Sequence, residues 1–177
     1  IFSSIMKIFA TGNQQFGRHG AIKKFKRHFS CVQEMNEGMI SAWNSVVSDD
    51  DLVYVLGNFA WDPITADETI SQLNGTILLI KGEFDDATND IVEIHRHKLN
   101  VLDCDIQVDN KHEIVMSYWP LRDWYNKKKG YHSVISFPGA KYKSNHKQSL
   151  INVNCDSWSF KPVELKKLKD LFAEIES

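Results

Sequence analysis

Three stretches of this chain end an apolar run with a glycine and follow it with polar side chains. Thr11-Gly12-Asn13-Gln14-Gln15 follows residues 6–10, Gly57-Asn58-Phe59 follows residues 52–56, and Gly82-Glu83-Phe84-Asp85 follows Thr76-Ile77-Leu78-Leu79-Ile80. The last of these runs, apolar or β-branched throughout, reads as a strand buried on both faces. Such a strand belongs in the middle of an α/β sheet, and open α/β folds place ligand chemistry at the carboxyl ends of their strands. Three strand–glycine–polar tips in order are the outline of an active-site rim. What these tips lack is charge. Asn13, Gln15 and Asn58 are neutral amides, and only the third tip carries carboxylates, on Glu83 and Asp85.

Other chemistry-bearing residues are scattered. Of the seven histidines, His19 neighbours the first tip but reads as a solvated loop residue, and His95 and His97 do not share a helical face at a spacing of two. The two would share a face only in an extended segment; the plainer reading is surface residues. The three cysteines, Cys31, Cys104 and Cys155, are widely spaced with no CxxC, which reads as free thiols, small buried hydrophobes in a reducing cytosolic compartment. No nucleophile elbow, phosphate-binding loop or dinucleotide fingerprint occurs. Basic residues cluster at 23–28, 127–129 and 141–147, interleaved in part with Trp124, Tyr125, Tyr131 and Tyr142, a pattern that suits a nucleic-acid backbone but more often marks solvated loops. Asp49-Asp50-Asp51 reads as a solvated turn.

The elements that must position the tips follow from periodicity. Residues 6–10, 52–56 and 76–80 are expected as strands. A helical turn is expected over 22–28, and a helix from a Ser30/Gln33 capping box to about Val47, carried by Met35, Met39, Ile40 and Trp43. A second capping box at Thr65–Glu68 is expected to open a helix closed by Asn74-Gly75, and 90–97 to form a short helix. Residues 104–108 and 113–117 flank hairpin chemistry, 131–137 and 150–154 are further strands, and Pro162 is expected to open a terminal helix. Length, 42% hydrophobic content and a formal net charge of -2 describe one ordinary globular domain over 6–177, with 1–5 as an extension and no global pull towards nucleic acid. No apolar run approaches a membrane span.

From Met6 onward the chain resembles the small calcineurin-like metallophosphoesterases of bacteria and phages. Phe16-Gly17 stands in the place of a D-x-H-F-G-H opening. Glu34-Met35-Asn36-Glu37 precedes Trp43-Asn44-Ser45-Val46-Val47, like E-M-N-E…W-N-x-x-V. Val53-Tyr54-Val55-Leu56-Gly57-Asn58-Phe59-Ala60 is similar to V-Y-x-L-G-D-F-A, and Leu73-Asn74-Gly75 with Lys81-Gly82-Glu83-Phe84-Asp85 to L-N-G…K-G-N-H-D. Ser117-Tyr118-Trp119-Pro120-Leu121-Arg122 is similar to H-Y-P-L-R, and Asn152-Val153-Asn154-Cys155-Asp156-Ser157-Trp158 with Lys161-Pro162-Val163 to N-V-x-x-D-x-W…K-P-V. The resemblance implies an α/β fold, the metallophosphoesterase α/β/β/α sandwich of two mixed sheets flanked by helices. It also implies a site in which two divalent ions such as Mn2+ polarise a phosphate ester and activate a water.

At the positions that match the ligands, this chain departs from the pattern. Asn13 and Gln15 stand for the opening Asp and His, Arg18 for the later His, and Asn58 for the bridging Asp. Glu83-Phe84 stand for the Asn-His pair, Tyr118 for a His, and Ala140 and Tyr142 fall near the closing G-H-x-H. Asp85 alone keeps its identity. A two-metal site needs several anionic or imidazole ligands, and Arg18 adds a cation where a dication would sit. The expectation is therefore a catalytically inactive pseudo-phosphoesterase with no cofactor. It would act as a binding or structural module for a protein partner or in virion assembly, in a phage-encoded setting, and would be found in the host cytoplasm or the virion, without a membrane. Two alternatives stay open: a metal-dependent phosphodiesterase with a rebuilt site, and a non-cleaving nucleic-acid or nucleotide binder. Trp61, Trp119 and Trp124 are interface candidates if exposed, although each reads first as core.

Overall fold

A computed structural model describes residues 5–138, 144–145 and 149–176. Two mixed sheets face each other across an apolar core, with helices flanking them, so the chain is an α/β domain. The first sheet holds β1 (Ile8–Thr11), β2 (Leu52–Leu56), β3 (Thr76–Ile80) and β4 (Leu99–Leu102), all parallel, in the order β4-β3-β2-β1. A short antiparallel strand, β9 (Val163–Glu164), closes the β1 edge. In the second sheet β5 (Ile106–Asp109) pairs antiparallel with β6 (Ile114–Ser117), which runs parallel to β7 (His132–Ile135) and then β8 (Leu150–Asn152).

Alternation along the strands sorts the core. Phe9, Val53, Val55, Ile77 and Leu79 face the helices α1 (His19–Lys24), α2 (Val32–Asn44) and α3 (Pro63–Gln72), meeting Met35, Met39, Trp43 and Ile70. Ala10, Leu56 and Ile80 face the other way, onto Ile114, Met116, Val134 and Ile151 of the second sheet. The terminal helix α4 (Leu165–Glu176) adds Leu165, Leu168 and Phe172 to that inter-sheet layer. Burying a leucine- or phenylalanine-sized side chain is worth about 1.5–3 kcal/mol, so each layer contributes substantially to stability. Among the described residues no helix is long and apolar enough to cross a membrane.

Several elements differ from the sequence expectation, each for a local reason. The first strand runs 8–11, and the helical turn lies at His19–Lys24, ahead of the expected 22–28. At α2 the capping residue is Cys31, and Ser30 sends both its N–H and its Oγ–H to the Glu34 carboxylate, so Glu34 does the work assigned to Gln33. The α3 helix starts earlier than the Thr65 box because Asp62 accepts the Thr65 N–H at 2.9 Å and Pro63 fills the first turn. Residues 90–97 form turns instead of a helix, and the strand β4 after them was not expected. Pro162 leads into β9 before α4 begins. Asp51 is not part of a solvated turn: it is buried, and its two oxygens accept the N–H groups of Lys7 and Ser48, each at 2.8 Å.

Candidate functional site

The parallel strands deliver their carboxyl ends to one place. Asn13 and Gln15 follow β1, Asn58 follows β2 and Asp85 follows β3, while the second sheet contributes Tyr118 after β6 and Asn154 after β8. Bridges between Gly12 and Asn154 and between Phe16 and Ala60 stitch the tips together. Glycine is required here by contact: a Cβ on Gly57 (φ +83°) would lie 2.5 Å from Tyr118 Cδ2 and 2.9 Å from Gly82 Cα. Asn13, Gln15 and Asn58 all hold left-handed backbone, at φ 60°, 54° and 55°. For residues other than glycine such conformations cost on the order of 1–3 kcal/mol each, and they concentrate at functional sites.

The side chains so aimed bond to one another. Gln15 Nε2 and Asn58 Nδ2 both donate to Asn13 Oδ1, and Asn58 Nδ2 also donates to Tyr118 Oη at 2.9 Å. Asn13 Nδ2 reaches Asn154 Oδ1 at 3.5 Å, and Asn58 Oδ1 accepts the Phe84 N–H at 3.2 Å. Arg18 donates to Gln15 Oε1 at 2.6 Å and lies over the rings of Trp61 and Phe84, 4.3 and 5.0 Å from their centroids. Asn13, Asn58, Gln15 and Tyr118 are 0%, 1%, 2% and 1% exposed, which seals the network from solvent. Burial, with the nearby charge of Glu83, pushes the Tyr118 phenol up to about 12, so it is a neutral hydroxyl at physiological pH.

Asp85, whose identity matches the resemblance, serves the backbone. Its two oxygens accept the N–H groups of Gly82, Asn58 and Phe59 at 2.6–2.7 Å, tying the third tip to the second. Burial raises its pKa while those donors and Lys81 oppose the rise. Glu83 is exposed, and Phe84 is half-buried beside Trp61, with ring centroids 5.2 Å apart. Ala140 and Tyr142 lie outside the described residues. The convergent set thus offers neutral carbonyl oxygens, a phenol and a phenyl ring, and its one buried carboxylate is taken up by backbone donors. That donor set does not fit two divalent ions, which need anionic or imidazole ligands. Among the described residues no group of three His, Cys, Asp or Glu side chains is placed to hold a metal.

Two residues that sequence reasoning did not assign to the site complete it. Asn154 is the amide partner of Asn13. Arg27, read as part of a basic surface run, is buried: it pairs with Asp156 through Nε at 2.7 Å and Nη2 at 3.0 Å, and donates to the carbonyls of Gln14 at 2.7 Å and Asn13 at 2.9 Å. Burial works to lower its pKa, and the hydrogen bond and charge of Asp156 outweigh that, leaving it raised. The only sequence signal for Arg27 was Asp156 in a distant motif. Other readings also change. His95 is buried and bonded to Asp67, Cys31 and Cys104 are exposed, and Trp61 and Trp119 are 46% and 49% exposed rather than core. Trp124 is half-buried, donating to Tyr131 O with Lys127 stacked on it.

No protein-family model matches the chain. It is 29% identical over 167 residues to an uncharacterized protein, MJ1445, of Methanocaldococcus jannaschii, a match covering 92% of this chain and 89% of that one. Its fold is similar to that of a protein of unknown function, AQ665, from Aquifex aeolicus, with a TM-score of 0.70 and 16% identity over 94% of this chain and 100% of the other. At that identity the likeness shows the shared fold alone.

Proposed function

We propose that this chain is a metallophosphoesterase-like domain without catalytic activity, working as a binding or interaction module. The observation that carries the reading is the sealed network of Asn13, Gln15, Asn58, Tyr118 and Asn154 at the point where the tips of both sheets meet. Metal-assisted phosphoester hydrolysis needs open coordination positions, anionic ligands and a water with a lowered pKa. Here the amides satisfy one another and solvent is excluded.

Above the sealed floor the surface is aromatic. Trp61 and Trp119 are half-exposed, Arg18 lies over the rings of Trp61 and Phe84, and Trp119 packs on Tyr118 and Phe137 at 5.0 and 5.1 Å between ring centroids. Tryptophan and arginine are the side chains that most often dominate protein interfaces, which supports a protein partner on this face. The test is metal stoichiometry after incubation with excess Mn2+ and desalting. A value near zero is expected. About two ions per chain would overturn the reading and put a rebuilt phosphodiesterase in its place.

A further inference from the structure

A second feature lies at the end of the sandwich opposite the amide tips. There, beside the start of β1 and the turn between β5 and β6, a cavity of about 460 Å3 lies on an apolar floor formed by Ile5, Met6 and Ile8. Ile5 and Met6 leave 87% and 49% of their surface exposed among the described residues. The volume is within the range of about 300–1,000 Å3 usual for small-molecule sites, which combine apolar walls with a few fixed polar groups.

The rim is cationic. Lys7 is matched by Glu164, at 3.9 Å, but the exposed Lys111 and Lys166 join no ion pair among the described residues. His112 also lines the cavity. Its Nδ1 is held by Asp109 at 2.9 Å, which leaves Nε2 as the ring nitrogen without a partner among the described residues. An apolar floor under two uncompensated ammonium groups is complementary to a molecule with an apolar body and one anionic end. We infer that this cavity binds a small anionic amphiphile, an alkyl chain or ring carrying a single carboxylate or phosphate. The site is separate from the tips and does not depend on what they do.

Calorimetric titration of the full chain with octanoate, octyl phosphate and octanol tests this. One octanoate or octyl phosphate per chain is expected to bind, at least tenfold tighter than octanol, and the preferred anion identifies the head group. Lys111→Glu with Lys166→Glu, both at exposed positions, should weaken the anion at least tenfold, and Met6→Glu should do so from the floor, with circular dichroism unchanged. Equal binding of octanol, no saturable binding of either anion, or unchanged affinity in the lysine variant would each overturn the assignment.

Discussion

Behind the first tip, the buried Arg27 pairs with the partly buried Asp156 and grips the carbonyls of Asn13 and Gln14. In front of it, Asn13, Asn58, Tyr118 and Asn154 meet through neutral amide and phenol groups. The two regions share one backbone segment and treat charge oppositely. Charge survives behind the tip, where each ion is fully partnered and fixes the turn. In front, the side chains that meet at the centre are neutral, and the charges of Arg18 and Glu83 lie at the edge of the network. The backbone of the first tip is therefore held by charges that lie one layer behind the converging amides.

Removing one partner of the rear pair should have the largest effect. Arg27→Met strands Asp156 and releases two carbonyls, and should destabilise the chain by roughly 3–5 kcal/mol in urea unfolding. Arg27→Met with Asp156→Leu should recover most of that loss, since replacing both ions by apolar groups is often near neutral. A loss below about 1 kcal/mol for the single variant would mean that the pair does not hold the tip.

A smaller loss is expected at Asp85, where one carboxylate serves three N–H donors on two tips. Asp85→Asn keeps the shape but turns an NH2 group towards N–H donors, and should cost about 1–3 kcal/mol. Amide exchange should accelerate at Gly82, Asn58 and Phe59 ahead of the rest of the chain. Uniform acceleration would show that Asp85 supports the fold as a whole and not the junction of the tips.

How far these features could be read from sequence depends on whether their cause is local. The strands β2 and β3 were legible to the residue because each is an unbroken apolar run between polar turns. The strand β4 was not, because Asn100 interrupts it and its extended state is fixed by pairing with β3. Asn13, Asn58 and Tyr118 could be placed at the site because a glycine tip or a matched motif marked each one. Arg27 could not. It stands among lysines, and its burial depends on Asp156, 129 residues away. Exposure of Trp61 and Trp119 was likewise invisible, since tryptophan is apolar enough for core and is equally at home on an interface.

The gentlest perturbation touches the front network alone. Tyr118→Phe removes the acceptor for Asn58 Nδ2 and should cost about 0.5–1.5 kcal/mol at neutral pH, less than either change above. Alkaline pH gives the same residue a second readout. The Tyr118 phenol sits at about 12 in the folded chain, raised by burial and by Glu83, against an ordinary value of 10.0. The ionised form is therefore disfavoured by folding. The stability that this group contributes is fully present below its unfolded value and is lost as pH rises through the folded one. Stability of the parent chain should fall across that interval, and the fall should be shallower in Tyr118→Phe. Parallel alkaline limbs in the two proteins would mean that solvent reaches the phenol, and the front of the tip would then be an open site instead of a sealed one.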